Sequence, residues 1–330
     1  MDIVTQGLLG AALSSSFSKP NEMRRAATIG FIAGLAADMD YFIRSADDPL
    51  LNIEFHRHFT HALLFIPIGA LLVSAILWLF FRNKLAYSRL YLYCLAGFSM
   101  SGLLDAFTSY GTYLFWPFYN EPVAFRLVSI VDPIFSLVLL FAVALALIRK
   151  QTRIVQIGVM LVGLYLLLAG VQQHRANTSL LALAQQRGHE ATRLIVKPSF
   201  GNIVLWRGIY EYKDYYYVDA VHVAVQPKIY PGGSIKKYDP EKVFDDGMKS
   251  STLYRDVLRF AKFSNNYLVV HPEQPDVIGD VRYAMLPNSI SPLWGITVDT
   301  SHLQAHTSLN TFRKLGQQQR QHFIDMLLGH

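Results

Sequence analysis

The sequence has few cysteine and few charged residues. It contains one cysteine in 330 residues, Cys94, so no disulfide can form within the chain. Charged residues make up only 16% of the chain, whereas a typical soluble domain has about 25%. Hydrophobic residues make up 52%, and this abundance of apolar surface excludes an intrinsically disordered chain.

Several catalytic motifs are also absent. The sequence has no Gly-x-Ser-x-Gly nucleophile motif, no phosphate-binding P-loop and no convincing dinucleotide-binding fingerprint. The formal net charge of +6 taken alone would favour a nucleic-acid partner. The basic residues, however, lie mainly beside the apolar segments, so we expect no nucleic-acid partner.

Five long apolar segments in the first half of the chain predict transmembrane helices. Each has 18 to 22 residues with at most two charged residues, and about 20 apolar residues cross a bilayer core. The segments are residues 26–43, 62–81, 90–107, 127–148 and 154–171. The shorter segment 3–17 is a candidate sixth or interfacial helix, and it lacks the basic start of a cleaved signal peptide. We therefore predict a membrane α-helical bundle of five to six spans in residues 1–171.

Residues 172–330 contain no apolar run of that length. A polar helical connector is predicted at residues 174–189, and turn-forming segments separate the β-rich stretches that follow it. These stretches are residues 193–196, 203–212, 215–225, 267–270 and 281–285. The pattern predicts a water-exposed, strand-rich α+β domain in residues 172–330.

The basic residues predict the orientation in the membrane, because loops rich in Lys and Arg remain in the cytoplasm. One set of connections between the predicted spans carries nine basic residues and the alternate set carries three. The three are Arg44, Arg57 and Arg126. We therefore predict a multi-pass membrane protein whose C-terminal domain is extracytoplasmic.

Seven acidic and histidine residues in or beside the predicted spans all fall at the predicted outer face. They are Asp38, Asp40, His56, His58, His61, Asp105 and Asp132. Ionisable groups at membrane depth are costly and mark functional sites. Carboxylate and imidazole are ligands for zinc and similar divalent metals. The convergence predicts a metal site, and a proton or ion pathway would use similar residues.

Each of these residues also has a simpler interpretation. Asp132-Pro133 has the form of a helix start, with Asp as the N-cap and Pro in the first turn. Asp38 and Asp40 could cap a span. The three histidines could be ordinary interfacial loop residues.

The order of these motifs resembles the YdjM/YbcI-type family of bacterial inner-membrane proteins, described as membrane-bound metal-dependent hydrolases. The motifs in the first half are AADMD at 36–40, HRHFTH at 56–61, LLDAFTSYG at 103–111, WPF at 116–118 and IVDP at 130–133. Those in the second half are KPSFGN at 197–202, LWR at 205–207 and DVRY at 280–283. The resemblance implies that Asp38, His56, His61 and Asp105 bind a divalent metal, with zinc as the expected ion.

The sequence departs from the family pattern at two places. Gln6 stands where the family often has a histidine, and Ser101 and Gly102 stand where a histidine usually precedes the aspartate of the third span. We expect Gln6 and Asp132 beside the metal ligands rather than among them. The departures could remove one metal of a multi-metal site or make this member non-catalytic.

Two functions remain open at this stage. The first is a metal-dependent hydrolase acting at the outer face of the inner membrane on a phosphoester or lipid-linked substrate, with Asp40 or His58 as general base. The second is a non-catalytic envelope protein whose metal or buried charges only hold the bundle together, while its external domain binds a protein partner of unknown identity.

Two arginines of the second half are candidates for anion binding. Arg207 and Arg282 are proposed because Arg binds carboxylate and phosphate groups in a bidentate manner. The alternative is that Trp206, Arg207 and the Tyr-rich segment 215–217 serve ordinary sheet packing, which aromatic residues favour.

Overall fold

The computed structural model describes residues 1–330 and divides the chain into two compact units. The first unit comprises Met1–Phe42, Phe55–Val171 and Phe200–Ile203. The second comprises Ile43–Glu54, Gln172–Ser199 and Val204–His330. The chain therefore contributes one short segment of its first half, Ile43–Glu54, to the second unit.

The first unit is helical. Its helices are α1 (Ile3–Ser16), α2 (Met23–Ala36), α3 (Leu51–Phe55, which begins in the second unit), α4 (Ile66–Phe81), α5 (Tyr87–Ala106), α6 (Pro133–Arg149) and the first part of α7 (Thr152–Gln186). Three short 3-10 helices at Ala37–Phe42, Phe59–His61 and Leu63–Phe65 join them. The predicted helix-rich first half is confirmed.

Two helical segments are long and apolar enough to cross a membrane, namely Leu63–Phe81 and Thr152–Gln186. The helix Pro133–Arg149 is apolar but shorter. Leucines and other large apolar side chains on α4, such as Ile76 and Leu79, are exposed in this structure, as lipid-facing residues would be. The prediction of five to six spans is not confirmed: segment 26–43 forms the 14-residue helix α2 and then a 3-10 helix, and segment 3–17 forms the 14-residue α1.

Glycines let α1, α2 and α5 pack backbone against backbone. A Cβ atom at Gly10 would lie 2.3 Å from the carbonyl oxygen of Gly30, and one at Gly97 would lie 2.5 Å from the same oxygen. Small residues at helix interfaces allow this close approach in membrane bundles. Because α1, α2 and α5 face one another, they carry more small and polar residues than α4, and this is why they are less apolar.

The second unit is sheet-rich, as predicted, and both of its sheets are antiparallel. One sheet has the order β1 (Arg193–Pro198), β2 (Leu205–Tyr212), β3 (Tyr215–Val223) and β4 (Pro227–Tyr230), with β5 (Ser234–Lys236) also paired to β3. The other has the order β6 (Leu268–His271), β7 (Gln274–Asp280), β8 (Trp294–Thr297) and β9 (Leu309–Thr311). Its helices are the second part of α7, then α8 (Pro240–Val243), α9 (Thr252–Phe263) and α10 (Gln317–Leu328).

One predicted strand is wrong. Residues 281–285 do not form a strand, because the strand β7 ends at Asp280 and the chain turns there. The strand lies upstream, where Pro275 and Gly279 obscured the β pattern. The predicted connector at 174–189 is a continuation of α7 up to Gln186 rather than a separate helix.

Candidate metal centre

Three elements of the first unit bring the acidic and histidine residues together. The 3-10 helix Ala37–Phe42 carries Asp38 and Asp40, the 3-10 helix Phe59–His61 carries His61, and Asp105 lies at the end of α5. A 3-10 helix has three residues per turn, so the two aspartates of Ala37–Phe42 project in different directions. The imidazole ring of His61 lies between them.

Both ring nitrogens of His61 face carboxylates. Its Nε2 lies 3.1 Å from Asp38 Oδ1 and 3.2 Å from Asp105 Oδ2. Its Nδ1 lies 3.2 Å from Asp40 Oδ2. His61, Asp40 and Asp105 are fully buried, and the Asp38 side chain is 10% exposed.

In one of its two neutral tautomers, His61 can bind a cation beside Nε2. A neutral imidazole carries one proton. If that proton is on Nδ1 and is donated to Asp40, the Nε2 lone pair faces two carboxylate oxygens. A proton or a metal ion must then stand between Nε2 and the carboxylates. A carboxylate that holds the far nitrogen of an imidazole is the usual support of a metal-binding histidine.

Asp40 is surrounded by donors. Its carboxylate accepts hydrogen bonds from the Arg57 backbone N–H at 2.8 Å and from the Thr60 hydroxyl at 2.5 Å. His56 Nδ1 lies 3.0 Å from Asp40 Oδ1, and the His56 side chain is 32% exposed. Asp40 therefore holds the two histidines in place with both oxygens engaged.

Arg57 is a member of the cluster that the sequence analysis does not single out. It was counted there only as a basic loop residue, although it lies within the HRHFTH motif beside the predicted ligands. Its Nε lies 3.1 Å from Asp105 Oδ2, and its guanidinium donates to the Thr108 hydroxyl at 3.3 Å. The amino group of Met1 also contacts the Asp105 carboxylate. Arg57 thus places a buried positive charge at the edge of the cluster.

Gln6 reaches the same cluster from α1. Its Nε2 lies 3.2 Å from Asp105 Oδ2 and 3.5 Å from Asp38 Oδ1. Gln6 therefore contacts two of the predicted ligands, Asp38 and Asp105.

Two other predicted residues lie apart from the cluster in their described contacts. The ring of His58 packs on Tyr113, with ring centroids 4.4 Å apart, and against Trp116. Asp132 is the N-cap of α6, accepting from the Phe135 N–H and from the Tyr165 hydroxyl at 2.8 Å. The helix-start interpretation of Asp132-Pro133 is confirmed, and no hydrogen bond joins Asp132 to the Asp–His cluster.

The predicted anion-binding arginines are engaged within the second unit. The Arg207 guanidinium is buried and donates to the carbonyl oxygens of Val281, Leu286, Pro287 and Ser289. Burial lowers the pKa of Arg207 to about 9. Arg282 donates to both oxygens of Asp280 and to the Phe263 carbonyl. These contacts favour the packing interpretation of both arginines.

The donor atoms of the cluster fit a divalent metal. One ligand atom each from Asp38, His61 and Asp105 lie within 4.8 Å of one another, and so do ligand atoms from Asp38, Asp40 and His56. The four predicted ligands therefore do not form one set: His56 is turned towards Asp40, and Asp38 is shared by both groups. Zinc–ligand bonds of about 2.0–2.2 Å imply donor atoms roughly 3–4 Å apart, close to the separations around His61 Nε2.

Comparisons with known proteins agree with the motif pattern. A family model described as "YdjM inner membrane protein" matches residues 1–176. The "Uncharacterized protein YfhP" of Bacillus subtilis (strain 168) is 27% identical over 177 residues, which is 52% of this chain and 52% of that protein. The chain therefore matches about half the length of this relative. No solved structure matches the chain.

Proposed function

Since this chain belongs to the YdjM inner membrane protein family, we propose that it is a metal-dependent hydrolase of the inner membrane. In this proposal Asp38, His61 and Asp105 bind one divalent metal, with zinc as the first candidate. The observation that carries the proposal is the position of His61, with Nε2 towards two carboxylates and Nδ1 towards a third.

The residues around the metal have separate roles. A divalent metal here would supply Lewis acidity, activating water near neutral pH and polarising an ester or phosphoryl oxygen. Asp40 orients His61 and holds His56 Nδ1. His56 is then the better general base, because its partly exposed ring can accept a proton at Nε2 while Asp40 steadies the imidazolium. Asp40 itself is saturated with donors, and His58 is packed among aromatic rings.

Arg57 supports an anionic substrate. Its guanidinium is buried beside Asp105 and already donates to the Thr108 hydroxyl and the Met1 carbonyl oxygen, so it would act on a substrate through its positive charge. This charge favours a substrate with a negatively charged phosphoester group. A site carried by membrane helices favours a lipid-linked substrate that arrives from the bilayer.

The proposal includes a membrane arrangement. Five to six segments of residues 1–171 cross or enter the bilayer, and residues 172–330 form an extracytoplasmic domain. The support is the excess of basic residues on one set of connections. A periplasmic reporter fused after His330 should be active, and fusions at Lys84 and Lys150 should be inactive. The reverse pattern would contradict the arrangement.

The decisive experiment is metal analysis followed by an activity assay. Detergent-purified protein should contain about one divalent metal per chain by elemental analysis. It should hydrolyse bis(4-nitrophenyl) phosphate or a phospholipid in mixed micelles, and chelation should abolish the activity. His61→Ala should lack both metal and activity, whereas His58→Ala, in the aromatic cluster, should retain metal.

A structural metal is the second candidate, because the cluster joins the start of α1, the segment after α2 and the end of α5. It predicts a different outcome. Metal removal would lower the melting temperature of the protein, and no hydrolysis would be found on any phosphoester or phospholipid tested.

A further inference from the structure

The carboxamide of Gln6 has an unexplained buried oxygen. Gln6 is 2% exposed, and its Oε1 atom has no hydrogen-bond partner. A buried acceptor without a partner costs about 1–3 kcal/mol, and native structures contain few of them. The oxygen belongs to a side chain whose other terminal atom, Nε2, faces Asp38 and Asp105.

The contacts of Gln6 Nε2 are long. They measure 3.2 Å to Asp105 Oδ2, 3.4 Å to the Met1 carbonyl oxygen and 3.5 Å to Asp38 Oδ1. Hydrogen bonds of N–H to oxygen are usually about 2.9–3.0 Å. The amide therefore gives up little if it rotates.

A rotation exchanges two atoms of nearly equal size. Turning the carboxamide by 180° places Oε1 where Nε2 now lies, next to Asp38 and Asp105. Without a cation this would bring a third oxygen against two carboxylates, so Nε2 faces them instead. With a cation among the carboxylates and His61 Nε2, the oxygen becomes the favourable atom.

We propose that Gln6 Oε1 is a fourth ligand of the metal held by Asp38, His61 and Asp105, reached by rotation of the Gln6 amide when the ion binds. The ligand set then has three oxygens and one nitrogen. Oxygen-rich sets suit harder divalent ions, and imidazole suits zinc and its neighbours. Gln6 thus shifts the preference of the site towards ions such as Mn²⁺, relative to a site with a second imidazole. This inference rests on the proposed function, because it requires that the cluster binds a metal.

The test is Co²⁺ absorption spectroscopy of full-length protein in detergent, with Zn²⁺ and Mn²⁺ affinities measured in parallel. In Gln6→His an imidazole nitrogen should replace an oxygen, so the visible Co²⁺ bands should shift. The ratio of Zn²⁺ to Mn²⁺ affinity should rise at least tenfold. In Gln6→Leu the spectrum should also change, as water or nothing replaces the ligand. Thr5→Val is the matched control on the same turn of α1, because Thr5 bonds Asp2 and Ser136 rather than the cluster, and its spectrum should equal the parent's.

The outcomes separate the two proposals. If parent and Gln6→His give superimposable Co²⁺ spectra and equal Zn²⁺ to Mn²⁺ ratios, Gln6 is not a ligand, although the metal site stands. A merely supporting amide would weaken binding in Gln6→Leu while the spectrum stayed unchanged, and that result also overturns the inference. If the parent binds none of the three ions, both the metal site and the Gln6 ligand are refuted.

Discussion

The two units of the molecule each contain an Asp–His cluster, and the clusters differ in what lies at their centre. In the first unit, ligand atoms of Asp38, His61 and Asp105 lie within 4.8 Å of one another. In the second unit the same is true of Asp48, Asp256 and His306. By composition and spacing the two groups are equivalent.

An arginine occupies the second cluster. Arg259 donates to both oxygens of Asp48, at 3.0 and 2.8 Å, and to both oxygens of Glu54, at 2.7 and 2.8 Å. It also donates to Asp256 at 2.9 Å. The hydrogen bond with Glu54 is the largest cause that raises the pKa of Arg259. One guanidinium thus donates hydrogen bonds to all three carboxylates.

Arg57 contacts fewer carboxylates in the first cluster than Arg259 does in the second. It reaches Asp105 through Nε, while Asp38 and Asp40 are held by neutral donors and by the two histidines. The clusters therefore differ in how positive charge reaches them. In the first, Arg57 and the Met1 amino group both contact Asp105, whereas in the second one guanidinium contacts all three carboxylates. Proximity of carboxylates and histidine alone does not identify a metal site, because an arginine that contacts all the carboxylates, as Arg259 does, lies where a cation would bind.

The sharpest test of this difference is the removal of His61. His61→Ala should weaken metal binding by more than about 100-fold, because it removes a ligand rather than a supporting group. Isothermal titration of the detergent-purified protein measures the change, with His58→Ala as control. Equal affinity of His61→Ala and the parent would place the metal elsewhere.

Removing the support of His61 should have a smaller effect. Asp40→Asn keeps the size of the side chain but removes the charge that holds His61 Nδ1. We expect metal affinity to fall by about 10–100-fold, the usual cost of losing a supporting carboxylate. The same titration checks it, and an unchanged affinity would mean that Asp40 does not orient His61.

The second cluster should become a cation site when its arginine is removed. Arg259→Met leaves Asp48, Glu54 and Asp256 without their shared partner. We expect it to destabilise the protein by about 1–3 kcal/mol, less than for a fully buried pair because Asp48 and Glu54 are partly exposed. It should also gain weak Ca²⁺ or Mn²⁺ binding absent from the parent. Chemical unfolding and equilibrium dialysis measure the two effects.

Arg255→Met is the matched control for that variant, since Arg255 lies on the same helix and donates to the Thr252 hydroxyl. It should leave both stability and metal binding unchanged. If Arg259→Met shows neither loss of stability nor gain of cation binding, the comparison between the clusters fails.

The smallest expected effect is a dependence on pH. Burial alone raises the pKa of Asp48, but the hydrogen bond and charge of Arg259 outweigh it and lower this pKa below its ordinary value. A lowered folded-state pKa contributes stability above the unfolded pKa of about 4, and that contribution is lost as the pH falls through the folded value. The stability gap between parent and Arg259→Met should therefore narrow between pH 7 and pH 3. A gap that stays constant would show that Asp48 does not contribute through its charge.

Sequence patterns predicted the broad organisation because they depend on local composition. The apolar runs predicted a helical first half, and alternation with turn signals predicted a sheet-rich second half. The number of spans could not be predicted from the apolar runs alone. Segment 26–43, for example, is not one helix, because α2 ends at Ala36 and a 3-10 helix begins at Ala37. The strand expected at 281–285 was wrong because Pro275 and Gly279 hid the real strand next to it.

The candidate site, too, could be predicted from the sequence only in part. The sequence by itself determined that Asp38 and Asp105 belong to apolar segments and that His61 directly precedes one, and ionisable groups at membrane depth are costly. Only the tertiary structure decided that His56 turns to Asp40, that Arg57 meets Asp105 and that Gln6 enters from α1. Residue type and spacing show which side chains could bind a metal. Partner choice depends on the direction of each side chain in the folded bundle, and residues about 100 positions apart in sequence, such as Gln6 and Asp105, meet only because α1 packs closely on α5.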